Sequence, residues 1–258
     1  MQTRNPLRRA SWIAALPALC LFASPELTAK PLAMRLSGDL KNVEAMPVRG
    51  RKPGQWQAGF QFASWESAPP ASFDAGSWSW DAPMGESRSN EEVRLDVDRV
   101  GFEFELRPAA NAAPAMGQCL AQGRFAVHTE YRGNTTDETT MTLPGYPRVD
   151  CKLSGAQRGY LSLRPAFVSQ RDSGLLQVGE KLWNVQSVNN LASQRSNFPL
   201  ARFGYEFSTG GKVVAAVETA GNGRVWFQPG LDENDREDLA AAITALLYYD
   251  ALLDAQDR

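Results

Sequence analysis

The 258-residue sequence predicts a mainly β protein, an antiparallel barrel or sandwich with one buried hydrophobic C-terminal helix. Three observations predict it. Apolar and polar residues alternate with period two through most of residues 30–228, glycine-rich turns separate the last strands, and the chain closes on one long apolar stretch, DENDREDLAAAITALLYYDALLD.

The chain starts with Arg4, Arg8 and Arg9 and then an apolar run from Trp12 to Ala23. That is the pattern of a secretory signal peptide, with small residues for cleavage at Ala29 or Ala23. A signal over residues 1–29 leaves a single β-rich domain over 30–258 in the periplasm or secreted. Cys20 follows Leu19 inside the apolar run, which does not suit a lipid anchor. Removing residues 1–29 lowers the 27 basic and 29 acidic residues to 24 and 28, a net charge of −4. This mild acidity disfavours nucleic acid and anionic membrane surfaces as partners.

Only Cys119 and Cys151 remain after the signal, and in an oxidising compartment they pair in the one way available. The loop they close holds 32 residues and gains about 3 to 4 kcal/mol in the chain-entropy account.

The strands follow in order. Trp56, Ala58, Phe60 and Phe62 alternate with glutamines; Val93, Leu95 and Val97 alternate with Arg94 and Asp96; Phe102, Phe104 and Leu106 alternate with Glu103 and Glu105. Further strands are expected at 124–131, 148–153, 160–163, 175–178, 182–188, 202–207, 212–218 and 224–228. Residues 67–77 read as an irregular Pro- and Ala-rich stretch, and 132–140, RGNTTDETT, as a polar loop. Residues 107–118, RPAANAAPAMGQ, break the alternation and mark an internal boundary. A tetrapeptide of glycine, aromatic, any residue, phenylalanine recurs at Gly59, Gly101 and Gly204.

A helix is expected over 233–254. Asp232 or Asn234 caps it, and Glu233, Asp235 and Glu237 suit the positive end of its dipole. From Leu239 to Tyr249 only Thr244 is polar, tyrosines aside, and a helix apolar all round needs neighbours on most sides. Residues 239–253 make roughly 22 Å of helix, short of the 20 or so residues that cross a bilayer, so they predict a core helix and no transmembrane span.

The meander FGYEFSTGGKVVAAVETAGNGRVWFQPGLD running into this helix resembles, over residues 200–254, the tubby-like fold shared by phospholipid scramblases and LURP-one-related proteins. The resemblance implies a closed antiparallel barrel around a hydrophobic C-terminal helix, and lipid contact or a non-enzymatic scaffold role. It carries no site residue.

Catalytic signatures are absent: there is no Gly-x-Ser-x-Gly, His-Glu-x-x-His, Walker loop or dinucleotide fingerprint. The single histidine, His128, lies on a predicted strand beside Glu130. Glu103 with Glu105, and Asp96 with Asp98, sit two apart as a carboxylate hydrolase would allow, and as solvent-facing strand positions also would. The acidic run 232–238 does not keep calcium-loop spacing, and no metal or cofactor is expected.

The remaining signal is aromatic. Trp56, Trp65, Trp78 and Trp80 fall within 25 residues, as flat faces that stack on sugars or line an apolar pocket. The expectation is therefore a non-enzymatic envelope protein that binds a lipid or other apolar ligand, or an envelope protein as a scaffold. The alternative is a glycan or peptidoglycan binder using the four tryptophans, and a third reading is a carboxylate hydrolase.

Overall fold

The period-two alternation over so much of the chain asks for a sheet whose one face is buried, and the apolar helix asks to be surrounded. Both demands are met by one arrangement in a computed structural model, which describes residues 33–52, 54–81, 91–108, 113–142, 148–164, 171–192 and 202–256. The segment read as a signal peptide lies outside the described residues.

In chain order the strands are β1 (Met46–Pro47), β2 (Phe60–Phe62), β3 (Trp65–Ser67), β4 (Ala71–Asp74), β5 (Trp78–Asp81), β6 (Glu91–Pro108), β7 (Ala115–Arg132), β8 (Thr135–Thr142), β9 (Arg148–Ser154), β10 (Arg158–Arg164), β11 (Ser173–Val178), β12 (Lys181–Val188), β13 (Gly204–Thr209), β14 (Lys212–Glu218) and β15 (Arg224–Phe227). They are followed by α1 (Glu233–Gln256).

All strand pairs are antiparallel, in the order β1-β15-β14-β13-β12-β11-β10-β9-β7-β6-β3-β2. The two ends of that series meet, because Arg49, just past β1, and Gln61 in β2 exchange both backbone hydrogen bonds at 2.8 Å. The result is a nearly closed 12-stranded barrel. Its turns use the expected residues: Gly210 and Gly211 both have positive φ between β13 and β14, as a two-residue hairpin turn requires.

Helix α1 runs inside the barrel. Every residue from Asp238 to Leu252 is buried, and the helix shares one core cluster with inward side chains of β2, β3, β6, β7 and β9 through β15. Asp232 caps it, accepting the backbone N–H of Asp235 at 2.7 Å. Thr244 satisfies its hydroxyl inside the helix by donating to the Ala240 carbonyl at 2.9 Å. Cys119 and Cys151, opposite one another on β7 and β9, form the disulfide and are buried among these residues.

Four details differ from the sequence reading. Residues 135–142 are a strand where a polar loop was expected, because five threonines in eight residues favour extended backbone and an exposed edge needs no apolar face. Residues 71–74 form β4 inside the stretch read as irregular, starting directly after Pro69-Pro70. The alternation at Trp56 and Ala58 is not strand; turns at Lys52 to Gln55 and Gln55 to Ala58 occupy it, leaving only Phe60–Phe62 extended. Residues 107–118, read as a boundary, contain the ends of β6 and β7, which pair as Leu106 with Ala115 and Glu103 with Gln118.

The recurring tetrapeptides are wall positions. Their aromatics, Phe60, Phe62, Phe102, Phe104, Tyr205 and Phe207, are all buried facing the helix. A side chain at Gly204 would place its Cβ 2.0 Å from the Val217 carbonyl oxygen, so the glycine lets β13 and β14 approach.

Candidate functional site

The barrel interior is the first place to look for a ligand, and α1 occupies it. Tyr248 projects from the helix into a ring of aromatics, with centroids 4.7 Å from Phe60, 5.8 Å from Phe104 and 6.3 Å from Phe102. Its hydroxyl donates to the Ala68 carbonyl at 2.7 Å and lies 2.8 Å from the Ser67 hydroxyl. Burial pushes this phenol up to about 12.

The outside carries the more unusual feature. β6 and β7 are 18 residues each, while the strands β9 through β15 run from four to eight. β6 pairs with β3 at its end and with β4 at Val100 to Glu103, whereas Arg94 to Val97 pair with β5. β7 pairs with β9 from Met116 to Gln122 and with β8 from Phe125 to Arg132. Beyond Val100 and Gln122, then, a four-stranded arm β5-β6-β7-β8 leaves the barrel. Ten residues of β6, Glu91 to Val100, give it a length of roughly 33 Å.

The arm has its own side preference. In β6 the core-facing residues of the barrel are Phe102, Phe104 and Leu106, all even-numbered, but in the arm the apolar residues are Val93, Leu95 and Val97, all odd. The β6–β7 register runs without a shift from Glu91 to Leu106. The apolar row of the arm therefore continues the outer face of the barrel wall. Ala126, paired with Leu95, and Met141, paired with Ala126, extend the row across β7 and β8.

The four tryptophans are not brought together. Trp65 is 8% exposed and packs inside the barrel, its ring 5.7 Å from both Phe62 and Phe227. Trp56 is half-buried against the same core. Trp78 and Trp80 lie on β5, in register with Val97 and Leu95 of the arm.

The titratable groups singled out from the sequence are engaged in local pairs. Arg94 chelates Asp96 at 2.9 and 3.2 Å, Arg107 pairs with Glu105 at 2.6 Å and holds that carboxyl below its usual range, and Gln118 donates to Glu103 at 2.7 Å. His128 sits on the arm between Val93 of β6 and Thr139 of β8. In the acidic run, Lys181 bridges Asp232 and Asp235, and the Asp235 N–H to Asp232 bond holds the Asp232 carboxyl low. Among the described residues no three His, Cys, Asp or Glu cluster as metal ligands.

Sequence reasoning did not single out a buried ionic network at the far end of α1. Arg51 donates to the carbonyls of Thr219 at 2.6 Å and Gly221 at 2.7 Å, and reaches Asp250 at 3.5 Å. Arg202 pairs with Asp172 at 3.2 Å and lies 5.8 Å from the centre of the Tyr249 ring. Nearby, Arg224 grips Glu218 through two bonds at 2.6 and 2.9 Å. Each cation faces an acid or a carbonyl of the barrel itself, so the network ties helix to wall. No signal in the sequence pairs residues almost 200 positions apart.

Nor do known proteins supply a partner or a reaction: no family model, curated protein or solved structure matches this chain.

Proposed function

We propose that the chain is an exported, non-enzymatic envelope protein that serves as an interaction scaffold, with the β5-β6-β7-β8 arm as its contact surface. The observation that carries this reading is the division of labour in the sheet. The barrel is filled by its own helix, and the arm extends beyond it with strand edges at β5 and β8 among the described residues and a stretch from Tyr131 to Met141 that is exposed throughout. An internal lipid site is less favoured, since α1 stands where such a ligand would go. The basic, then apolar start of the sequence and the disulfide support the periplasm or the exterior as its location.

The test is site-specific photocrosslinking in the native envelope, with the photoreactive residue at Thr139 on the arm or at Leu175 on the barrel wall. The reading expects a defined adduct from position 139 and little from 175. Equal labelling from both, or none from any arm position, would overturn it.

A second reading rests on Trp78 and Trp80, two residues apart on the arm and in register with its apolar row. Such a pair suits stacking on a sugar chain. It expects retention on insoluble peptidoglycan that Trp78→Ala weakens without unfolding the protein, and unchanged retention would exclude it.

A further inference from the structure

We infer that β8 is a strand-addition site, at which an extended, basic segment of a partner polypeptide pairs along Thr135–Thr142 and widens the arm from four strands to five. The inference rests on the reading of the arm as the contact surface and names what that surface holds.

The geometry comes first. Among the described residues β8 pairs only with β7, so one side of its backbone faces away from the sheet. Every residue from 131 to 141 is exposed, with Met141 at 57% and Tyr131 at 46%. An antiparallel strand of eight residues with one neighbour offers the donors and acceptors of about every second residue to a newcomer. Natural edges are usually blocked by proline, lysine, bulges or a very short run. β8 has no proline, no lysine and no glycine, and its register with β7 is unbroken over all eight residues. Its five threonines favour the extended state that an added strand would extend.

Charge then selects the occupant. Across the arm the register sets Glu91 opposite Glu130, and Glu130 opposite Asp137, three acids in one row over three strands. Glu92 and Glu138 flank Thr129 in the adjacent row. Like charges directly opposite are destabilising, and one cation, Arg132, bonded to Glu130 at 2.9 and 3.0 Å and close to Asp137, is shared between those two acids. A lysine or arginine on a strand beyond β8 would face Asp137 and relieve the row. A second copy of this chain is the wrong partner, because antiparallel pairing of two β8 strands over their full length sets Asp137 opposite Thr140 and Glu138 opposite Thr139, doubling the acids at the seam without supplying a cation.

The alternation also sets the spacing of the partner. Asp137, Thr139 and Met141 share one face, so the segment should carry a cation near Asp137 and an apolar residue four positions away near Met141.

The probe is the peptide acetyl-Thr-Lys-Thr-Val-Thr-Val-Thr-amide, with a glutamate version in place of its lysine and a version N-methylated at alternate residues. Binding to the full chain is read from amide shifts of residues 135–142. The expected result is saturable binding of the lysine peptide, at least fivefold weaker binding of the glutamate peptide, and loss with the N-methylated one. Asp137→Lys with Glu138→Lys, both exposed, should invert the preference between the first two. Equal binding of the lysine and glutamate peptides would remove the charge argument, equal binding of the N-methylated form would remove strand pairing, and no shift at millimolar peptide would remove the site. If position 139 still crosslinks in the envelope while all peptides fail, strand addition falls and the scaffold reading stands.

Discussion

Arg51, in the segment after β1, and Asp250, near the end of α1, face each other 3.5 Å apart across 199 residues of sequence, and their side chains are 2% and 12% exposed. Burial disfavours both charges, lowering the guanidinium and raising the carboxyl, and each is held by the other and by nearby groups. Removing the cation leaves a buried anion and two carbonyls without their donor. Arg51→Met is expected to cost about 3 to 5 kcal/mol in urea unfolding, and Asp250→Asn distinctly less. Arg51→Lys should recover little, since lysine carries its three donors on a single nitrogen, whereas the guanidinium meets the two carbonyls through one nitrogen and Asp250 through another.

Tyr248 divides its stabilisation between ring and hydroxyl. Tyr248→Phe keeps the stacking on Phe60 and loses the bonds to Ala68 and Ser67, for an expected loss of about 1 to 2 kcal/mol. Tyr248→Ala also empties the centre of the barrel and should lose about 3 to 5 kcal/mol. Comparable losses for the two variants in chemical denaturation would show that the ring packing is slack.

Asp238, buried at the start of α1 against the turn at Gly155 to Gln157, is raised to about 6 from 3.8, chiefly by burial. Between about pH 4 and pH 6 the folded chain keeps a proton here that the unfolded chain releases. The contribution of this group therefore falls as pH rises through that window and is flat above it. Asp238→Asn should abolish the slope and raise stability at pH 7 by about 1 to 3 kcal/mol, measured as melting temperature against pH. An Asp238→Asn variant whose stability falls between pH 4 and 6 as steeply as that of the wild type would refute this assignment.

Ala63, in the turn between β2 and β3, holds a φ of 47°, a region that costs a side chain about 1 to 2 kcal/mol. Glycine removes that cost and adds flexibility to the unfolded chain, so Ala63→Gly should gain roughly 0.5 kcal/mol and Ala63→Val should lose more than 1. The comparison of the two in urea tests the turn.

The arm is expected to be separable from the barrel. At its base Asp74 pairs with Val100 and Gln122 with Arg148, so a two-residue Asn-Gly turn can replace residues 75–99 and another can replace 123–147. None of Val93, Leu95, Val97, Ala126 or Val127 belongs to the core cluster around α1. The shortened chain should still unfold in one cooperative transition, and a molten, non-cooperative product would show that the arm supports the wall.

The helix, the last hairpins and the disulfide were legible because each has a local or unique cue: an unbroken apolar run, paired glycines, a single pair of cysteines. β6 was read as two strands since its apolar residues change from odd at Val97 to even at Phe102, and a period-two pattern cannot show one strand serving two faces. β8 was missed because an edge strand exposed on both faces has no alternation to find. The tryptophans were grouped by nearness in sequence, while the turn between β2 and β3 sends Trp65 inward and β5 carries Trp78 and Trp80 out to the arm. The ionic network of Arg51 had no local cue of any kind.

The enclosure of α1 also fixes an order of events in folding. Contacts that complete the interior join residues 60 to 68 with residue 248, so the wall cannot reach its final packing until the last element has been delivered. Closing loops of some 180 residues before those contacts form is slow, and the early strands must wait with their inner faces uncovered. A chain that emerges from its N-terminus during synthesis meets this constraint in full, and its yield should depend on whatever shields those strands during the interval.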